Sequence, residues 1–233
     1  MKLKKILAIS LASVSMVVSS TSVLAEHTTL DGYGQEWDDY SYTANQKFKD
    51  VPPSHWAFKA IDRVVNKGWF SGYADGTFHP NDVITRAEAV TVFMNFTGVQ
   101  PQNVTETSFT DVSPSDWYAP YIEAGKDYLP LRTTYMGTNP FLPNQPVTRE
   151  DVCYGLVKIK GYESDTQYAN RFVLNMFSDQ NSISDDVKPY VVVAVEKKLI
   201  SGYDDGTLGA QDPLTRAEFA TMLYRASYVG TNG

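Results

Sequence analysis

A chain of 233 residues that is 42% hydrophobic and 13% aromatic has the material for a packed core. Its formal charge of −7, from 27 acidic residues against 20 Lys and Arg, excludes a surface built to hold nucleic acid phosphates. A single cysteine, Cys153, excludes an internal disulfide, so packing has to supply the stability.

The first 25 residues form a segment apart. Lys2, Lys4 and Lys5 precede an apolar run from Ile6 to Val18, followed by small polar residues and Val23-Leu24-Ala25, the pattern of a cleavable secretory signal. Cleavage before Glu26 removes three lysines and no acid, taking the formal charge from −7 to about −10. No later stretch approaches the roughly 18 consecutive apolar residues of a membrane span, so an exported product with no membrane span is expected. Residues 26–47, rich in Tyr, Asp and Gly, read as a flexible leader.

Beyond residue 47 the chain repeats itself. Thr-Arg recurs at Thr85-Arg86, Thr148-Arg149 and Thr215-Arg216, with spacings of 63 and 67 residues. Each copy opens with Phe-x-Asp, at Phe48-Lys49-Asp50, Phe109-Thr110-Asp111 and Phe177-Ser178-Asp179. The copies cover 48–98, 109–161 and 177–228, with linkers at Gln100 to Ser108 and Glu163 to Met176. In the first copy Ser54 is placed to cap a helix whose apolar positions Ala57, Ala60, Ile61, Val64 and Val65 follow the 3.6-residue period, and Gly68 stops it. A shift of 130 residues finds the same stripe in Val187, Tyr190, Val191, Ala194 and Val195. The second copy is looser: Tyr118, Tyr121 and Ile122 fit, but Gly125 and Lys126 follow.

A turn-rich segment comes next, from Ser71-Gly72-Tyr73 through Asp75-Gly76 to Phe78, answered by Ser201-Gly202-Tyr203 through Asp205-Gly206 to Leu208. Asp-Gly there predicts a tight turn with positive φ. The second helix starts at the repeated Thr, with core slots Val90, Phe93 and Met94, then Cys153, Leu156 and Val157, then Ala220, Leu223 and Tyr224. Cys153 thus stands where small hydrophobes stand elsewhere, which suits a buried thiol better than a nucleophile. The predicted fold is all-α: three helix-loop-helix units, none able to bury its stripe alone, sharing one core with the loops projecting outward.

Thr-x-x-Glu is a capping box, complete at Thr85 with Glu88 and Thr215 with Glu218, and shortened at Thr148 with Asp151. It explains the threonine and the acid but not the arginine. A cation at N1 opposes the helix dipole, so Arg86, Arg149 and Arg216 are candidates to hold an anion with the free amides of the helix start, a carboxylate suiting the guanidinium fork. Pairing with an acid of a neighbouring unit is the other role open to them. At such an exposed position Arg86→Ala is expected to abolish ligand binding with little loss of stability. Trp56 and Trp117 occupy one slot, where an indole can serve as a platform for a sugar face or as a core anchor; the third copy has Asp186 there.

Phe-x-Asp-Val, a Trp, Ser-Gly-Tyr-x-Asp-Gly-Thr-Phe and Thr-Arg-Ala-Glu together resemble the S-layer homology module, over nearly all of the chain after the signal. The resemblance implies a pseudo-threefold bundle of three modules with grooves between prongs, non-covalent anchoring to the cell wall, and a pyruvylated N-acetylmannosamine-type secondary wall polysaccharide as ligand. The resemblance also admits peptidoglycan as a wall partner. It places Arg86, Arg149 and Arg216 on the pyruvyl carboxylate, with Ser71, Gly72, Tyr73, Ser201, Gly202 and Tyr203 lining the grooves. The second copy departs, with Thr133-Thr134-Tyr135 for Ser-Gly-Tyr and Met136-Gly137-Thr138 for the Asp-Gly turn. The groove using Arg86 with Ser71, Gly72 and Tyr73 is therefore expected to be the most competent, and the Arg149 site the least.

Rival chemistries find little support. The histidines are His27, His55 and His79, without a Cys-His pairing or zinc-ligand spacing, so no enzyme, cofactor or metal site is expected. A calcium loop aligned on Asp205-Gly206 would need acids at Ser201 and Tyr203. A helical-repeat scaffold for protein partners remains the alternative to a glycan reader. The chain ends five residues after the third copy, leaving no room for a cargo domain there.

Overall fold

The computed structural model describes residues 46–131 and 138–229. The signal, the leader up to residue 45, and Thr133-Thr134-Tyr135 with Met136 and Gly137 lie outside the described residues.

Among the described residues six α-helices carry the fold: α1 (Phe58–Asn66), α2 (Arg86–Thr97), α3 (Ala119–Gly125), α4 (Arg149–Ile159), α5 (Lys188–Glu196) and α6 (Arg216–Tyr228). The even-numbered helices start where the sequence places them. Thr85, Thr148 and Thr215 each accept a hydrogen bond from the N3 amide while the N3 acid closes the box on the cap amide. The odd-numbered helices lack such a signal. α1 starts after Ala57 with no side-chain cap, so Ser54 falls in the preceding turn and does not cap it. The stop is as read, with Gly68 at φ 74° just beyond the last turn. α5 contains Val191-Val192-Val193, a β-branched run of low helix propensity, and all three are fully buried, so packing decides its conformation.

The packing partners are not the two helices of one repeat. α2 packs on α3, α4 on α5 and α6 on α1, so each second helix lies against the first helix of another copy. Gly125 makes one such approach possible, since a Cβ there would strike Val90 and Met94 of α2. The residues before the second helices join in the same order. Ile84 N donates to Leu214 O, Leu214 N to Val147 O, and Val147 N to Ile84 O, with antiparallel bridges at Val83 and Thr215, Thr85 and Pro146, and Thr148 and Pro213. Around this ring Val90, Phe93, Met94, Cys153, Leu156, Val157, Ala220 and Leu223 are all sealed in one apolar core. The chain is helical, and its extended pairings among the described residues are isolated bridges.

Two expectations need correction here. Residues 163–176 are not a plain linker: they form 3-10 helices at Glu163–Tyr168 and Arg171–Met176, which pack on α5. Trp56 and Trp117 are not core anchors, being 54% and 60% exposed.

Candidate functional site

The three loops are held by the opening motif of each copy. Asp50 accepts from the amides of Phe78 and His79, Asp111 from Phe141 and Leu142, and Asp179 from Leu208 and Gly209. The second amide of each pair belongs to a residue of positive φ: His79 at 55°, Leu142 at 60° and Gly209 at 66°. Two charge-assisted bonds from one carboxylate thus fix a left-handed bend that only the third copy makes with glycine. The motif's Phe completes the brace, with Phe48 against Phe78 at 5.4 Å between centroids and Phe109 against Phe141 at 5.1 Å. Sequence reading used Phe-x-Asp as a boundary mark and missed these aspartates; their threefold recurrence was the available signal. The Asp-Gly turns are as predicted, Gly76 at φ 82° and Gly206 at 81°, with Asp75 and Asp205 accepting from the Thr two residues on.

The arginines are not at open helix starts. Arg86, Arg149 and Arg216 are 1%, 4% and 5% exposed. Arg216 Nε donates to Phe78 O and Nη2 to Ser71 O, both at 2.8 Å. Arg149 Nε donates to Leu208 O at 2.9 Å and Nη2 to Ser201 O at 2.6 Å. Arg86 Nε donates to Phe141 O and Nη2 to Pro130 O, both at 2.9 Å. Each guanidinium therefore bridges the two ends of a loop from another copy, a task that a planar fork of donors performs and an ammonium cannot. Among the described residues an acid partner occurs at one of them: Arg86 Nη1 meets Asp151 at 3.1 Å, with both side chains sealed. The short Asp151 closes its capping box and receives this ion pair together.

The helix-start amides are occupied as well. Arg216 N donates to Asp82 O and Ala217 N to Pro80 O; Arg86 and Ala87 donate likewise to Gln145 and Pro143, and Arg149 and Glu150 to Asp212 and Ala210. The notion of free amides beside a guanidinium is corrected by these bonds. So is the grouping of residues: Ser71, Gly72 and Tyr73 surround Arg216 and not Arg86, Ser201, Gly202 and Tyr203 surround Arg149, and Arg86 serves the loop between Pro130 and Phe141. Gly72 and Gly202 keep room for protein atoms, since a Cβ on either would strike Phe48 and Thr77 O, or Phe177 and Thr207 O.

The three loops differ in how open they are. Tyr203 is 6% exposed, lies 4.7 Å from the Arg149 guanidinium and bonds to Glu218; burial pushes its phenol up to about 12. Its ring covers Gly209, where any Cβ would collide with it. In the first copy His79 takes the place of Gly209, its ring 4.6 Å from that of Tyr73, and Tyr73 is 46% exposed. Behind Tyr73 the Arg216 guanidinium lies 4.9 Å from its ring and 4.5 Å and 4.7 Å from those of Phe70 and Phe78. Arg216 Nη1 makes no hydrogen bond among the described residues, whereas Arg149 Nη1 meets Met222 Sδ at 3.9 Å. Burial lowers the Arg216 pKa, and the negative potential of Tyr73, Glu88, Asp82 and Asp50 opposes that shift. Trp56 stacks on His55 and Trp117 meets Tyr118 edge-to-face; among the described ring contacts neither indole meets a guanidinium. Cys153 is sealed and burial raises its thiol to about 12, which suits packing and not nucleophilic chemistry. The described residues contain no cluster of His, Cys, Asp or Glu placed to hold a metal ion.

Against known proteins, the chain is 32% identical to an S-layer protein of Bacillus thuringiensis subsp. finitimus over 77% of its own length, covering 21% of that protein. It is 28% identical to the surface-layer 125 kDa protein of Lysinibacillus sphaericus over 74% of its length, covering 14% of that protein. An amylopullulanase of Thermoanaerobacterium thermosulfurigenes is 28% identical over 79% of the chain, which spans 10% of the enzyme. The chain thus spans a tenth to a fifth of these relatives. The S-layer homology domain matches residues 47–90 and 177–220, the segments that hold the Asp50 and Asp179 braces, the Tyr73 and Tyr203 loops, and the starts of α2 and α6.

Proposed function

We propose that this chain is a non-catalytic cell-wall anchor at the bacterial surface that holds an acidic, pyruvylated secondary wall polysaccharide. Residues 1–25 are the export signal and 26–47 a leader, and the copies at 48–98, 109–161 and 177–228 form one composite, pseudo-threefold domain. The second copy counts as a diverged module because α3, α4, the Asp111 brace and the Thr148 box repeat the plan of its neighbours. The closed order of helix pairs and bridges supports the threefold reading. S-layer proteins among the relatives support wall anchoring.

The observation that carries the ligand reading is the loop around Arg216. Two guanidinium nitrogens fix the loop carbonyls, the third has no hydrogen-bond partner among the described residues, and the half-exposed Tyr73 ring stands beside it. An acidic sugar there meets a fixed cation that needs no rearrangement and an aromatic face for its C–H surface. Arg216, Ser71, Gly72 and Tyr73 form the leading groove; Arg149 with Ser201, Gly202 and Tyr203 is a closed counterpart, and Arg86 with its sealed Asp151 is the least available. Trp56 and Trp117 are exposed platforms for flanking sugars.

Co-sedimentation with purified walls tests this. The chain is expected to pellet with native walls and remain in solution once mild acid has removed the pyruvyl ketals. Tyr73→Ala should weaken pelleting about tenfold while leaving the melting temperature nearly unchanged, as the loss of one aromatic contact implies. Equal pelleting with native and depyruvylated walls would refute the acidic-ligand reading.

A further inference from the structure

A second surface stands apart from the arginine loops. The 3-10 helix Arg171–Met176, between the second and third copies, borders an open groove of about 460 Å³ whose walls include Asn170, Arg171, Phe172, Asn175, Asn181 and Lys188. That volume is in the range of small-ligand sites. Phe172 is 79% exposed, and Tyr168 and Met176, four residues to either side, are 80% and 65% exposed. Side chains so exposed on short 3-10 helices contribute almost nothing to folding through burial.

Three of the groove's polar side chains are also left over from folding. The side chains of Arg171, Asn175 and Asn181 make no hydrogen bond or ion pair with other described residues, although Arg171 adds to the hydrogen bond from Lys188 in lowering the pKa of Asp185. Asn170 is spent on its own turn, accepting from Phe172 N, and Lys188 pairs with an Asp185 that is 92% exposed. Arg171 and Lys188 thus place two cations on one groove of a protein whose formal charge is −7.

We infer that this groove is a second carbohydrate site, taking a stretch of acidic, N-acetylated polysaccharide. The Phe172 ring lies against the C–H face of one sugar. The amides of Asn175 and Asn181 bond hydroxyl and acetamido groups, and Arg171 with Lys188 faces the carboxylates. The groove shares no residue with the Arg216 loop, so the inference stands or falls independently of the anchoring site proposed above.

The test is a titration of the full chain, followed by backbone amide shifts, with two oligosaccharide probes. Hyaluronan hexasaccharide carries alternating acetamido sugars and uronates; chitohexaose carries the acetamido groups without the carboxylates. Hyaluronan hexasaccharide is expected to shift the amides of residues 170–181 and to bind about tenfold more tightly than chitohexaose, the worth of one charge-assisted contact. Phe172→Ala should remove binding of both probes, and Arg171→Gln should narrow the difference between the two. Both residues are exposed, so the variants should melt as the parent does. Tyr73→Ala should leave these shifts unchanged. Absence of shifts at 170–181 with either probe, parental binding by Phe172→Ala, or loss of the shifts in Tyr73→Ala would each overturn the inference.

Discussion

Replacing Arg216 by Ala removes a side chain that is 5% exposed and supplies the only bridge drawn between Phe78 O and Ser71 O among the described residues. Each carbonyl left without a donor costs about 1–3 kcal/mol when water cannot replace it. The guanidinium also lies within 4.9 Å of three aromatic rings, so a void opens beside Phe70, Tyr73 and Phe78. Some water will enter on the exposed Tyr73 side, which offsets part of the loss. Two such carbonyls together with the opened void put the expected loss at about 3–5 kcal/mol. For a domain of this size about 2–4 °C of melting temperature accompany each kcal/mol, so Arg216→Ala should melt roughly 6–20 °C lower. Urea unfolding followed by tryptophan fluorescence gives the free energy directly; Trp69, edge-on to Phe96 at 4.7 Å, is a suitable reporter in the bundle. Arg216→Lys should recover less than half of the loss, because a single ammonium cannot span both carbonyls. A loss below about 1 kcal/mol for Arg216→Ala would mean that the loop is held without its fork, and the clamp would have to be abandoned.

Three further outcomes follow from the same geometry. Burial alone would raise the Asp50 pKa, but the amides of Phe78 and His79 outweigh it and hold the pKa below its ordinary value. A carboxyl depressed in the folded state contributes stability that is present above its unfolded pKa and lost as pH falls through the folded one, so Asp50→Asn should flatten the acid limb of a plot of stability against pH below about pH 4. An unchanged limb would assign acid lability to other groups. His79→Gly relieves a left-handed φ of 55° and lets Tyr73 settle inward as Tyr203 does over Gly209. This variant should be more stable by about 1 kcal/mol yet pellet less with native walls, and tighter pelleting would contradict the role given to the open tyrosine. Cys153, with its thiol raised to about 12 by burial, should react with a thiol reagent in the unfolded chain only. Labelling of the native protein at a rate comparable to a free thiol would contradict its burial.

Sequence determined the parts of this protein whose causes are local. The capping boxes at Thr85, Thr148 and Thr215 rest on contacts three residues apart, the stripes of α2, α4 and α6 on a 3.6-residue period, and the turns at Gly76 and Gly206 on one residue's freedom of φ. Each was legible because cause and effect share a few residues. The start of α1 was misplaced because its first turn is held by tertiary packing and not by a cap. The burial of the arginines is not legible for a related reason: a cation at N1 is exposed only if nothing packs on the helix start, and here another copy's loop does, 145 residues away for Arg216 and Ser71. The repeat in sequence names three copies, but which helices pair is settled by which apolar faces and which loop carbonyls meet in the folded chain. So Tyr73 belongs with Arg216 and not with the Arg86 of its own copy, and one histidine in place of a glycine separates an open loop from a sealed one.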